Sequence, residues 1–117
     1  MSITDLRTGT RAEAVIAGLA NAAAFLETHP GLPFGNTDNP LHVSVYGGTD
    51  EENRAEVDRI AVILGVAAGT EPGTHYAAVR DFGGGVAYKA VAISRAYADA
   101  FDRHMDRFRA GTARGAA

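Results

Sequence analysis

The chain reads as an α+β protein: one small domain in the order α-β-α-β-β-α. The sheet is expected to be three-stranded and mainly antiparallel, with the helices packed on one face. Three observations carry this reading. Apolar residues recur at helical spacing in three separate stretches, and alternation of period two marks the runs between them. Gly83-Gly84-Gly85 divides two of those runs in the manner of a hairpin turn.

The first helical pattern runs from Thr10 to His29. Thr10 and Glu13 have capping-box spacing, and Val15, Leu19, Ala22 and Leu26 form a stripe widened by Ile16, Ala23 and Phe25. Pro30 and Gly31 stop it, and residues 30–40, rich in proline, glycine and asparagine, read as a connector. From Leu41 to Tyr46, Leu41, Val43 and Val45 alternate with His42, Ser44 and Tyr46, which predicts a strand. The second helix spans Asp50 to Leu64, buries Val57, Ile60, Ala61 and Leu64, and ends at Gly65. A turn around Gly69 to Gly73 leads to strands at His75–Phe82 and Val86–Ile93. Ser94 caps a third helix carrying Tyr97, Phe101, His104, Met105 and Phe108 near one face, with Asp99 and Arg103 spaced to pair. The domain is expected to occupy residues 1–109, with residues 110–117 as a flexible tail. Two strand arrangements are open. The favoured one sets the last strand between the other two, all antiparallel, and the alternative contains a parallel neighbouring pair.

A chain of 117 residues suits a single core, and 46% hydrophobic with 21% charged residues is the balance of a soluble domain. Without cysteine there is no disulfide, thiolate metal site or cysteine nucleophile. A net charge of -3 opposes a role devoted to neutralising nucleic-acid phosphates. The first residues lack the pattern of a secretory signal, and the most apolar stretch is too short for a membrane span. A cytoplasmic protein without membrane attachment is expected.

The stretch Val43 to Thr49, a strand running into two glycines and a helix start, has the outline of a phosphate-binding turn. Its chemistry is wrong for that. Thr49 and Glu52 are placed to form a capping box on the very amides an anion needs, and Asp50, Glu51 and Glu52 repel one. Structural capping is the expectation. His29, His42, His75 and His104 lack metal-ligand spacing, and neither a nucleophile elbow nor a catalytic carboxylate pair is present. Neither enzymatic activity nor a cofactor is expected.

Two groups of residues offer a surface. Tyr76, Arg80 and Tyr88 project on a common hairpin face, where they form a recognition patch or, on the competing reading, pack across strands. Tyr97, Phe101, Met105 and Phe108 are large for a terminal element. They either close the core or dock on a second copy or a protein partner. Nucleic-acid binding through Arg80, Lys89 and the arginines from Arg95 onward is the alternative. Acidic residues interleave with those arginines, which favours a solvated helix face.

The segments "AAAFLETHPGLP", "HVSVYGGTDEENRAEVDRIAVILGV" and "THYAAVRDFGGGVAYKAVAI" resemble small hypothetical proteins of actinobacteria and of their phages and mobile elements. The likeness extends over roughly Leu19 to Ile93. It implies an accessory role in such a setting, carries no known activity, and transfers no site residues.

Overall fold

The computed structural model describes residues 3–70 and 75–116, with side chains at 9–70 and 75–109. Three helices and four strands follow in the order α1 (Ile3–Thr28), β1 (His42–Val45), α2 (Asp50–Leu64), β2 (Gly69–Thr70), β3 (Tyr76–Gly83), β4 (Val86–Ala92) and α3 (Arg95–Ala116). The class is α+β, as expected, but the sheet is four-stranded and mixed.

Its strand order is β1-β4-β3-β2. The last strand does lie between the other two long-range partners. Its direction departs from expectation, because β1 and β4 run parallel, with Val43 opposite Ala90 and Val45 opposite Ala92. Both other pairings are antiparallel. The cause is β2, which the sequence reading took for a turn. Helix α2 returns the chain to the end where β1 began, so β2 runs with β1. Each later antiparallel neighbour reverses the sense once, which brings β4 back to the direction of β1. Omitting one two-residue strand therefore reverses the expected pairing.

Helix α1 begins at Ile3 and continues to Thr28, so Thr10 and Glu13 lie inside it and do not start it. Capping-box residues are compatible with a helix interior when the residues before them also favour helix. Its packing face is rotated from the expected stripe. Gly18 and Ala22 are buried, Val15, Phe25 and Leu26 half-buried, and Ile16 and Leu19 exposed. Small residues win because the helix lies directly on the β3–β4 turn. A Cβ on Gly18 would stand 2.2 Å from the Gly83 carbonyl oxygen, and one on Gly84 would stand 2.3 Å from that of Ala14. Gly84 and Gly85, at φ 61° and 81°, supply the left-handed conformation that this two-residue hairpin demands.

Helix α2 follows the sequence expectation. Thr49 and Glu52 form the reciprocal capping box, Gly65 closes the helix in the left-handed region, and Val57, Ile60, Ala61 and Leu64 are buried. These residues meet Val43, Ala78, Phe82, Tyr88, Ala90 and Ala92 from the sheet, with Ala22 of α1 and Leu32 of the connector, in one core. Helices α1 and α2 thus cover one face. Contrary to the expectation that all helices share it, α3 stands over the other, where His42, Ser44, Lys89 and Val91 emerge. It remains helical through residues 110–116, the stretch expected to be a tail.

Candidate interaction surface

The base of α3 is fixed by three contacts. Ser94 Oγ accepts a hydrogen bond from the Tyr97 amide at 3.1 Å, the ordinary N-cap arrangement. Asp50 Oδ1, at the start of α2, accepts from the Arg95 amide at 2.8 Å. The Tyr97 ring meets His75 edge-on, with centroids 4.7 Å apart. Beyond this anchored start, α3 packs along no other helix or strand among the described residues.

Several of its apolar residues are exposed. Tyr97, Phe101 and Phe108 are 53%, 54% and 64% exposed, and Met105 is half-buried. Between the first turns of α3 and the open sheet face lies a groove of about 660 Å³. Val91 and Ile93 give its floor an apolar strip, flanked by His42, Ser44 and Lys89, while Tyr97, Ala98, Phe101 and Asp102 form the helical wall. A volume of this order accepts a small molecule or the side chains of another polypeptide segment. His42 and His75, which the sequence placed near strand starts, both line it. Among the described residues, no group of three His, Asp or Glu side chains is placed to hold a metal ion.

The other expected patch is inside the fold. Tyr76, Arg80 and Tyr88 do share a face, but it is the one under α1 and α2. Tyr88 is completely buried and donates from its hydroxyl to the Pro33 carbonyl at 2.5 Å, which ties the connector to the sheet. Burial pushes that phenol up to about 12. Arg80 is half-buried, stacks on Phe25 with its guanidinium carbon 4.3 Å from the ring centroid, and donates to the Leu64 carbonyl at 2.7 Å. It serves the negative end of the α2 dipole and fills space between helix and sheet. A phosphate contact by Arg80 would compete with this bond and stacking. Tyr76 donates to Asp58, a bond that raises the Tyr76 pKa, and lies beneath the Arg54 guanidinium at 5.4 Å. Tyr88 is thus a core residue, Arg80 is engaged between helix and sheet, and Tyr76 is half-buried at the rim of the fold. Tyr97, Phe101, Met105 and Phe108 stay in the candidate surface.

A smaller cavity of about 140 Å³ opens at the carboxyl ends of β1 and β4, lined by Asp50, Arg54, His75, Tyr76 and Ser94 among others. Mixed and parallel sheets commonly bind ligands at such an end. Here the polar groups have structural work: Asp50 and Ser94 hold α3, Tyr76 holds Asp58, and His75 abuts Tyr97. The glycine turn beside it is likewise occupied. Thr49 N–H donates to Glu52 and Glu52 N–H to Thr49, both at 3.1 Å. The backbone bond from Thr49 is the main reason that the Glu52 carboxyl is held below its ordinary value of 4.5.

One important residue escaped the sequence reading. Asn53 is buried, accepts from the Gly48 amide at 3.2 Å, and donates to the Gly48 and Ile93 carbonyls at 3.4 Å each. It joins the glycine turn to the end of β4. Its signal was present: Asn53, Val57, Ile60 and Leu64 fall on one helical stripe, and a polar residue on a buried stripe calls for specific partners.

Comparison of the chain with family models, curated proteins and solved structures yields no match. Among the described residues, no helix is long and apolar enough to cross a membrane.

Proposed function

We propose that this protein is a non-enzymatic interaction module that presents α3 and the open sheet face to another polypeptide. The observation carrying the proposal is the exposed Tyr97–Phe101–Met105–Phe108 face, standing over a partly apolar groove on a firmly anchored base. Aromatic residues on a preformed helix are efficient contact groups, because they offer large area for little lost side-chain freedom. The neighbouring polar cluster is engaged in holding this geometry, which supports binding over catalysis. An accessory role in a phage or mobile element, and a cytoplasmic setting, accompany the proposal on the strength of the sequence resemblance and composition.

The chain contains no cysteine, so a single introduced thiol reports accessibility without interference. Ala98→Cys lies on the α3 wall of the groove and Asp99→Cys on an exposed side of the same helix, and neither replaces an aromatic contact residue. In extract of the native host, the thiol at 98 should react at least about tenfold more slowly than in dilute pure protein, while the thiol at 99 keeps its rate. An unchanged rate at 98, in extract and in concentrated pure protein alike, would show that nothing covers this face and would sink the proposal.

A further inference from the structure

We draw no further inference here: the strongest candidate, the groove between the first turns of α3 and the open sheet face with Lys89 and Val91 on its floor and Tyr97 and Phe101 on its wall, belongs to the surface already described, and nothing in the structure shows what covers it.

Discussion

Helices α2 and α3 are both amphipathic and both begin at a hydroxyl cap, yet they do opposite work. α2 is closed at each end, by Thr49–Glu52 and by Gly65, and its apolar stripe is wholly inside. α3 is secured at its first turn and leaves Tyr97 and Phe101 more than half exposed. The difference lies in what stands opposite each stripe. β1, β3 and β4 offer α2 small and branched side chains, with Tyr88 filling the centre. The other sheet face offers α3 Lys89, His42 and Ser44 around a narrow apolar strip. The same helical pattern is a core device in one place and a surface device in the other.

The comparison is broken most directly by equivalent truncations. Leu64→Ala, in a fully buried position, should cost about 2–5 kcal/mol in urea unfolding. Phe101→Ala should change the stability of the isolated protomer by no more than about 0.5 kcal/mol and act on association instead. A core-sized loss for Phe101→Ala in dilute monomer would mean that α3 belongs to the core. Gly18→Ala comes next. Alanine normally favours a helix, but the new Cβ would meet the Gly83 backbone, so a net destabilisation of roughly 1–3 kcal/mol is expected by the same assay.

Tyr88 sharpens the contrast through pH. Its folded pKa is raised from 10.0 to about 12, so the protein holds that proton more tightly than the unfolded chain does. The resulting stability is intact below pH 10 and is lost as pH rises from about 10 to 12. Unfolding measured across that window should show the loss. Thr49→Ala gives the smallest change, about 1 kcal/mol from the lost cap. Glu52 adds a second sign. Its pKa is lowered, so its contribution is present above about 4.5 and fades as pH falls through the lowered value. Thr49→Ala keeps the backbone N–H that is the main cause of this shift, so the wild type and the variant should both lose the Glu52 contribution on acid titration.

Much of α2 was legible because its signals are local: a cap, a period and a terminal glycine, each read within a few residues. The α3 stripe was legible for the same reason. β2 was not, since Gly69 and Thr70 are too short to display a period, and its two bonded pairs depend on residues Tyr76 and Ala77. Tyr76, Arg80 and Tyr88 were correctly grouped, but whether their face was a recognition patch or cross-strand packing stayed open. Alternation tells which side chains share a face, while the partner helices decide which face is covered. The better clue was their company, because Ala78, Phe82 and Ala90 share that face and Lys89 points the other way.

The two residues of β2 have an effect far larger than their length. They add one reversal before β3, and β4, parallel to β1, ends at the rim where α2 begins, within reach of Asp50 for Arg95. Because β1 and β4 end at the same rim, the aromatic arm leaves the sheet beside the acidic tip of α2, and that shared rim gives the groove its wall.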